Sequence, residues 1–325
     1  MPDSRPIIWT DSDLQADAKA LLLSHTSLDC LPRGDPMAGL ESADGAIVSA
    51  VFPGVAATFA RAARLKVVAR VGIGYDNINV DEASAAGVCA VNTPDAPTES
   101  TAEFAVGLMF SLMRKIPLAD RRLKIAGWKL EPALQGTDFV GKTLGIVGFG
   151  RIGRRVAEIV GGLKMRVLAS DPYIPVAEIT SRGVEPVADL HALLAQADIV
   201  TIHVPLSPLT RHLIDAKALA AIPHGGILIN SARGGLVDPV ALLEVLRSGH
   251  LAGAGLDVWP TEPTEPSNPL LTLDNVVATP HMAAYTQEGR RRSHVAAVQQ
   301  VLMVLRGERP PSLLNPEIWD RRRLR

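Results

Sequence analysis

The sequence contains few of the residues that characterise disulfide-rich, metal-binding or secreted proteins. Only two of its 325 residues are cysteines, and Cys30 and Cys89 form neither a CxxC pair nor the spacing of a metal site. Two buried free thiols in a reducing compartment are therefore expected, with one disulfide as the alternative, and no metal centre is predicted. The first six residues also lack the basic start and apolar core of a signal peptide.

Neither an excess of charge nor a long apolar run is present. Lysine and arginine number 33 against 34 aspartates and glutamates, so no bulk electrostatic field favours a nucleic acid or a membrane surface. No apolar run approaches the roughly 20 residues that a bilayer-spanning helix needs. The basic tail, 321–325, is interpreted as a frayed and solvated end. Together these absences predict a cytoplasmic protein without nucleic-acid or membrane partners.

Aliphatic residues are what the chain has in abundance. Hydrophobic residues make up 47% of it and aromatic residues only 4%, which suits buried parallel strands covered by helices. The length exceeds that of a usual single domain, so two domains are expected. Apolar runs of strand length alternate with helical patterns almost throughout. This alternation predicts an α/β fold with parallel, doubly wound sheets.

Strands in the first hundred residues are predicted near 6–9, 45–50, 66–71 and 88–92. A helix is predicted over 11–24, with Thr10 as its N-cap. About six strands are predicted from Thr143 onward, which is the count of a doubly wound dinucleotide-binding fold. A last long helix is predicted from about Thr286 to Arg306.

A glycine-rich turn with the spacing of a dinucleotide-binding loop lies between a predicted strand and a predicted helix. Its glycines are Gly148, Gly150 and Gly153, after the apolar run 142–147 and before the helical pattern 154–160. The first glycine permits the tight turn, the second lets the backbone approach a pyrophosphate, and the third lets helix and strand pack closely. The helix N-terminus would then offer its N–H groups to the phosphates.

Asp171 ends the strand that follows this loop. A carboxylate about 20 residues past the glycines accepts hydrogen bonds from the adenosine ribose and repels a 2′-phosphate. The next residues, Pro172-Tyr173-Ile174, offer no basic side chain to such a phosphate. NAD is therefore predicted rather than NADP. The alternative interpretation of Asp171 is a helix cap or a turn residue after a strand.

Three stretches far apart in the chain carry the side chains that reduction of a 2-keto acid needs. They are Ser231-Ala232-Arg233-Gly234-Gly235, Glu262-Pro263 and Pro280-His281. Arg233 can bind a substrate carboxylate and polarise the neighbouring carbonyl, His281 can donate or accept the hydroxyl proton, and Glu262 can hold that imidazole. With the dinucleotide loop upstream, the chain combines a hydride carrier with an acid/base.

The motifs together resemble those of the D-isomer-specific 2-hydroxyacid dehydrogenase family, in the branch of glyoxylate/hydroxypyruvate reductases and phosphoglycerate dehydrogenases. The resemblance covers nearly the whole chain. Its matching segments are 70–78, 148–153, 203–206, 231–238, 255–259, Glu262-Pro263 and Pro280-His281. Counting from Asp257 as the family pattern does selects Glu262 over the similar Glu265. A glutamate there, rather than a glutamine, is unlike a formate dehydrogenase.

The resemblance implies two Rossmann-like and flavodoxin-like domains with the active site in the cleft between them. A discontinuous substrate-binding domain, 1–98 plus 286–325, would flank an NAD-binding Rossmann domain, 99–285. The implied activity is NADH-dependent reduction of a small 2-keto acid such as hydroxypyruvate, glyoxylate or 3-phosphohydroxypyruvate, with His281 as proton donor. Members are typically homodimers paired through the cofactor domain, and 121–128 is similar to the arm used for that contact. A surface loop is the alternative interpretation of that segment.

Site residues follow from the resemblance where this sequence matches it. Arg233 and His281 would contact the substrate, and the backbone N–H groups of Val71 and Gly72 would bind its carboxylate. Asp257 would hold the nicotinamide carboxamide. The other cofactor contacts implied, besides the glycine loop and Asp171, are Thr101, Arg151, Ile152, His203, Pro205, Ser231 and Ala232.

The sequence departs from the family pattern after the catalytic histidine. Where the family usually has a glycine two residues on, this chain has His281-Met282-Ala283-Ala284. The difference is interpreted as a change in the shape of the substrate pocket. The chain ends soon after Asn315, which is unlike the longer phosphoglycerate dehydrogenases that carry a regulatory domain. A phosphorylated substrate would also need further basic side chains, and Arg70 is the one candidate beside the Gly72 loop.

Two other functions share the same motifs. One is an NAD(H)-sensing binding protein, like the transcriptional corepressors that have this fold and triad, because fold alone does not fix function. The other is a phosphite-type dehydrogenase. Turnover of a 2-keto acid with NADH distinguishes the predicted reductase from both.

Overall fold

The computed structural model describes residues 5–30 and 35–323, and the chain divides into two units. One unit combines residues 1–97 with 285–325, and the other is continuous over 98–284. The predicted domain boundaries differ from these by one residue at each junction. Both units are built on parallel sheets with crossover helices, so the predicted α/β class is confirmed.

A five-stranded parallel sheet forms the discontinuous unit. Its strands are β1 (Ile7–Thr10), β2 (Ser27–Cys30), β3 (Gly45–Val48), β4 (Val67–Arg70) and β5 (Cys89–Asn92). Their order, β2-β1-β3-β4-β5, is that of flavodoxin-like folds. The short edge strand β2 is absent from the sequence-based prediction, because its four residues include the polar Ser27 and Asp29 and show no apolar run.

The first helix of this unit, α1 (Ala16–Leu23), begins five residues later than predicted. Thr10 is not its N-cap: the Thr10 hydroxyl donates to the carbonyl of Ser12 at 2.8 Å. The Asp11 carboxylate accepts the backbone amide of Ser49 at 2.9 Å and thereby fixes the chain beyond β1 to the end of β3. Two short helices follow, α2 (Ala56–Arg61) and α3 (Val80–Ala85).

A seven-stranded parallel sheet forms the continuous unit. Its strands are β6 (Thr143–Val147), β7 (Arg166–Ser170), β8 (Glu185–Pro186), β9 (Ile199–Ile202), β10 (Gly226–Asn230), β11 (Leu251–Leu256) and β12 (Val276–Ala278). The order β12-β11-β10-β9-β6-β7-β8 is doubly wound and reverses direction at β6, and ligands of such sheets bind at the carboxyl ends of the strands near that point. Six of the seven strands were predicted, whereas the two-residue β8 was missed.

The helices of this unit cover both faces of its sheet. They are α4 (Thr98–Met113), α5 (Ile116–Ala126), α6 (Arg151–Val160), α7 (Val176–Thr180), α8 (Leu190–Leu194), α9 (Ala216–Ala221) and α10 (Pro239–Arg247). Two apolar clusters fill the space between helices and strands, one around Ile146 and Met109 and the other around Leu228 and Leu219. In folds of this kind, binding and catalytic residues lie mostly in the loops that such a packed core positions.

The chain returns to the discontinuous unit through α11 (Gln287–Leu305). Thr286 caps this helix by accepting the amide of Gly289 at 2.8 Å, in agreement with the predicted start. Val298 and Val301 of α11 are buried in the cluster that covers the first sheet.

The prediction of a frayed basic tail is wrong as far as Arg323. The guanidinium of Arg322 lies 3.7 Å from the centre of the Trp319 ring. Arg323 donates its amide to the carbonyl of Gly87 at 2.9 Å and its guanidinium to that of Ala62 at 2.8 Å. The guanidinium groups of Arg322 and Arg323 therefore contact an aromatic ring and a backbone carbonyl, whereas the sequence predicted that they are solvated. The rest of the tail, 324–325, lies outside the described residues.

Two findings bear on the expectations drawn from composition. Within residues 5–30 and 35–323, no helix combines the length and apolarity needed to cross a membrane. Cys89 is a buried free thiol whose pKa burial raises to about 11, so it is unreactive at neutral pH. The side chain of Cys30 lies outside the described part of the structure.

Candidate active site

The three glycines between β6 and α6 occupy three different environments. Gly148 has φ +93°, and a Cβ built on it would lie 2.6 Å from the carbonyl oxygen of His203. A Cβ on Gly153 would lie 2.2 Å from the carbonyl oxygen of Gly148, so this glycine is needed for packing between helix and turn. A Cβ on Gly150, at the N-cap of α6, would meet no atom within 4 Å. The open space at this helix N-terminus fits the pyrophosphate of a dinucleotide.

Asp171 follows β7 directly and lies against the glycine loop. Its carboxylate accepts the amide of Phe149 at 2.8 Å and the amide of Tyr173 at 2.9 Å. The Tyr173 contact is a local turn, which was the alternative interpretation of this residue. The Phe149 contact places a negative charge beside the loop, where a ribose would lie if a dinucleotide occupied it.

A histidine and a glutamate form the centre of the candidate active site. The Nδ1 atom of His281 lies 2.6 Å from Oε2 of Glu262, and both side chains are about one-third exposed, at 38% and 35%. The Oε1 atom of Glu262 accepts the backbone amide of Trp259 at 2.9 Å. Because one carboxylate oxygen is bound to the backbone, the other is oriented towards the imidazole.

The charge state of Glu262 follows from its surroundings. Burial acts to raise the pKa of this carboxyl, but hydrogen bonds from His281 and the Trp259 amide act against it. The positive charges of His281 and Arg233 lower the pKa further, and the net result lies below the ordinary glutamate value. Glu262 is therefore ionised at neutral pH and can stabilise a protonated imidazole.

Arg233 lies in the loop that follows β10. The buried Asn230, at the end of that strand, fixes this loop through both polar atoms of its side-chain amide. Its Nδ2 donates to the carbonyl of Arg233 at 2.9 Å and its Oδ1 accepts the amide of Ala232 at 3.1 Å. The half-buried Arg233 side chain acts electrostatically on Glu262, so the structure brings all three predicted catalytic residues to one region of the continuous unit.

Trp259 connects the three catalytic loops, and sequence reasoning gave it no role. Its backbone amide donates a hydrogen bond to Glu262, and its indole Nε1 donates to the carbonyl of Thr279, two residues before His281, at 3.0 Å. A Cβ on Gly234, next to Arg233, would lie 2.0 Å from the Trp259 carbonyl carbon, so only glycine permits this approach. A buried tryptophan three residues before a glutamate was the available signal, but its partners are distant in sequence.

Asp257 is fully buried at the end of β11. Its Oδ1 accepts the hydroxyl of Thr279 at 2.6 Å and the amide of Met282 at 2.9 Å, while its Oδ2 accepts the amide of Ala283 at 2.8 Å. All three donors belong to the loop that carries His281.

The remaining predicted cofactor residues lie at several places in the same unit. Thr101 is buried on α4, Ile152 is half-buried in the first turn of α6 beside the exposed Arg151, and Pro205 is exposed after β9. Ser231 is 6% exposed, and its Oγ has no hydrogen-bond partner in the described part of the chain. Ala232 is half-buried.

His203 directly follows β9, two residues before Pro205, and its surroundings determine its charge state. Burial lowers the pKa of His203 to about 3. Its Nε2 lies 3.0 Å from the Thr201 hydroxyl. The imidazole is therefore neutral at physiological pH.

The predicted substrate-binding amides belong to the other unit and are already bonded there. The amide of Val71 donates to the carbonyl of Val48 at 2.9 Å, and that of Gly72 donates to the Thr93 hydroxyl at 2.8 Å. A substrate carboxylate would have to compete with these acceptors.

The chain is similar to known proteins over most of its length. A family model described as the NAD binding domain of D-isomer specific 2-hydroxyacid dehydrogenases matches residues 106–283. The hydroxypyruvate reductase of Thermotoga maritima is 38% identical over 304 residues, which are 92% of this chain and 98% of that protein. A crystal structure of a Thermus thermophilus protein is 34% identical over 95% of this chain and 99% of that one, with a TM-score of 0.86.

Longer relatives match only in part. The D-3-phosphoglycerate dehydrogenase of Methanocaldococcus jannaschii is 43% identical over 255 residues, which cover 78% of this chain but 48% of that protein. The chain therefore spans about half the length of the phosphoglycerate dehydrogenases that it matches.

Proposed function

We propose, because the chain belongs to the D-isomer-specific 2-hydroxyacid dehydrogenase family, that it reduces a small 2-keto acid with NADH. The observation that carries the proposal is the 2.6 Å contact between His281 Nδ1 and Glu262 Oε2, with Arg233 close enough to lower the pKa of Glu262. An acid/base pair beside a cation is what reduction of a carbonyl next to a carboxylate requires.

The residues of this chain divide the reaction between them. Arg233 would bind the carboxylate and the carbonyl oxygen of the substrate through its planar guanidinium. With Nδ1 held by Glu262, His281 keeps Nε2 for the substrate and transfers its proton to the carbonyl oxygen as the carbon is reduced. The imidazole is left neutral, and a proton from solvent restores it. Glu262 stabilises the cationic form before the transfer.

The bound dinucleotide would supply the hydride that is added to the carbonyl carbon. Gly148, Gly150 and Gly153 would hold its pyrophosphate at the start of α6, and Asp171 its adenosine ribose. Contacts are also proposed for Thr101, Arg151, Ile152, His203, Pro205, Ser231, Ala232 and Asp257. The Asp171 carboxylate beside Phe149 supports NAD over NADP, because it would repel a 2′-phosphate.

Among the 2-keto acids, the surroundings of Arg70 favour an unphosphorylated substrate. Arg70 donates to Asn77 Oδ1 at 3.3 Å and to the carbonyl of Val71. Its charge also acts on Asp11, whose pKa is nevertheless raised by burial. A phosphate dianion would therefore meet an arginine that already has acceptors and a neighbouring carboxyl group. Hydroxypyruvate and glyoxylate are the preferred candidates over 3-phosphohydroxypyruvate.

The experiment that tests this function is oxidation of NADH by the purified protein against a panel of 2-keto acids, with NADPH in parallel. We expect turnover with NADH on hydroxypyruvate or glyoxylate and weaker turnover on the phosphorylated acid. Binding of NADH without turnover on any 2-keto acid would contradict the proposal and favour a cofactor-sensing or phosphite-oxidising protein.

A homodimer formed through the continuous unit is also proposed. Helix α5 contains no buried residue, and Leu123, Ile125 and the following Trp128 are 52%, 78% and 94% exposed. An apolar surface of this kind favours coverage by a second copy over exposure to water. Light scattering should give twice the 34.5 kDa chain mass, and Ile125→Ser with Trp128→Ser should reduce it to one chain. A monomeric unmodified protein would contradict the dimer.

A cytoplasmic location is also proposed. A buried free thiol at Cys89 is compatible with a reducing compartment.

A further inference from the structure

The catalytic histidine has a backbone conformation that side-chain-bearing residues rarely adopt. His281 has φ +54°, in the left-handed region, and it is one of four non-glycine residues with positive φ among those described. Such a conformation costs free energy and persists only where the surrounding structure imposes it. Some group in contact with the loop 279–283 must therefore impose it.

Asp257 supplies the bonds that fix this loop. Its backbone carbonyl accepts the amide of His281 itself at 2.7 Å. Its carboxylate accepts the Thr279 hydroxyl on one side of His281 and the amides of Met282 and Ala283 on the other. One fully buried residue therefore bonds four of the five residues in the loop, either at the backbone or at a side chain.

We propose that Asp257 is a positioning residue for His281, in addition to any contact with the cofactor. The proposal rests on the proposed function, since it assigns His281 the proton transfer. Three donors occupy both oxygens of the carboxylate, and each bond to an ionised acceptor is stronger than one between neutral groups. Their combined effect is to hold the imidazole at the distance from Glu262 that the reaction needs. An error of about 1 Å in such positioning can cost about 100-fold in rate.

The test compares Asp257→Asn with Asp215→Asn in the full-length protein. Asparagine has the same size as aspartate but presents one acceptor oxygen and one NH₂ group, so it cannot accept all three donors. Asp215 is the matched control, because its carboxylate caps α9 by accepting the amide of Ala218 at 2.8 Å, and it has no place in the proposed site. Each variant is measured for kcat, KM, the Kd of NADH and amide exchange at Met282 and Ala283.

For Asp257→Asn we expect kcat at saturating NADH to fall about 100-fold while the Kd of NADH rises by less than about 10-fold. The amides of Met282 and Ala283 should exchange at least about 10-fold faster, because they lose their acceptor. Asp215→Asn should leave kcat and both amides unchanged. A Kd raised more than about 10-fold with kcat retained at saturating NADH would overturn the proposal in favour of a cofactor contact alone.

A second pair of variants covers the case in which Asp257→Asn does not fold. Thr279→Val removes one donor with little change in shape and should lower kcat, and Thr279→Ser restores the hydroxyl and should recover it. Wild-type kcat in Thr279→Val would overturn the proposal.

The proposed function and the positioning role of Asp257 are refuted by different results. If the unmodified protein turns over no 2-keto acid, the proposed function fails. Unprotected Met282 and Ala283 amides would instead refute the positioning role of Asp257.

Discussion

The Nδ1 atom of His281 and the Oε2 atom of Glu262 lie 2.6 Å apart, although the two residues are 19 positions apart in the chain. The other oxygen of Glu262 is bonded to the amide of Trp259. Each member of the pair is therefore fixed on its far side, His281 through the bonds of its loop to Asp257 and Glu262 through the backbone. The arrangement leaves Nε2 of the imidazole for the substrate.

Replacement of Glu262 should lower the activity, whereas replacement of the nearby Glu265, which is also followed by proline, should not. Glu262→Gln removes the charge that stabilises the protonated imidazole and should lower kcat by about 10- to 100-fold. Glu265→Gln is the matched control, because Glu265-Pro266 repeats the Glu262-Pro263 sequence three residues on and Glu265 is exposed. It should behave as the unmodified enzyme in steady-state kinetics. Equal losses in the two variants would contradict the assignment.

Alanine at two glycines of the dinucleotide loop should have opposite consequences. A Cβ on Gly150 meets no atom within 4 Å, so Gly150→Ala should fold normally and lose affinity for NADH, because the methyl group occupies the space for the pyrophosphate. A Cβ on Gly153 meets a backbone oxygen at 2.2 Å, so Gly153→Ala should destabilise the unit by about 1–3 kcal/mol or more. Thermal unfolding and NADH titration of both variants test this. Unchanged NADH affinity in Gly150→Ala would place the cofactor elsewhere.

Cofactor preference should depend on Asp171. Asp171→Ala removes the negative charge next to the glycine loop, so the ratio of kcat/KM for NADPH to that for NADH should rise by roughly 10-fold, or about 1.4 kcal/mol. Asp189→Asn, a helix-cap substitution on α8, serves as the control because its carboxylate accepts only the local amide of Ala192 among the bonds described. An unchanged ratio in Asp171→Ala would mean that another residue sets the preference.

Stability should fall in acid partly because of His294. This buried imidazole accepts the amide of Gln15 at 3.0 Å, and burial, with the charge of Arg290, lowers its pKa to about 4. The unfolded chain, with an ordinary value of 6.5, binds more protons between these two values. The contribution of neutral His294 is therefore complete above pH 6.5 and is lost as the pH falls towards 4, by roughly 2–3 kcal/mol.

Denaturant unfolding at several pH values measures this loss. In His294→Asn, which can still accept a hydrogen bond, the free energy of unfolding should fall less steeply between pH 6.5 and 4. Part of the slope should persist, because His203 also has a lowered pKa. The same slope in the variant and in the unmodified protein would contradict the assignment to His294.

Local sequence patterns were sufficient for most of the fold. The glycine loop, Asp171 and the long strands are read from spacing and apolar runs. In the structure the loop lies between β6 and α6, and Asp171 directly follows β7, as predicted. What failed depended on contacts between distant residues. The start of α1 was misplaced because Asp11 bonds to Ser49, 38 residues away, instead of continuing a helix from Thr10.

The candidate site shows the same division. Arg233, Glu262 and His281 are recognisable by residue type and order, so their proximity could be anticipated. The groups that orient them could not, because Asn230, Asp257 and Trp259 act through hydrogen bonds to loops that the sequence leaves undefined. The hydrogen bonds of the Val71 and Gly72 amides could not be predicted either, because their acceptors, Val48 and Thr93, lie on other segments of the chain.

The most direct test of the account is the turnover of His281→Ala on the 2-keto acid that the unmodified enzyme reduces best. NADH affinity is measured alongside to show that the glycine loop is intact. The account predicts that the variant binds NADH as before and that kcat falls by about 100- to 10,000-fold, because the proton donor is gone. Turnover within a few-fold of the unmodified enzyme would show that His281 is not the acid.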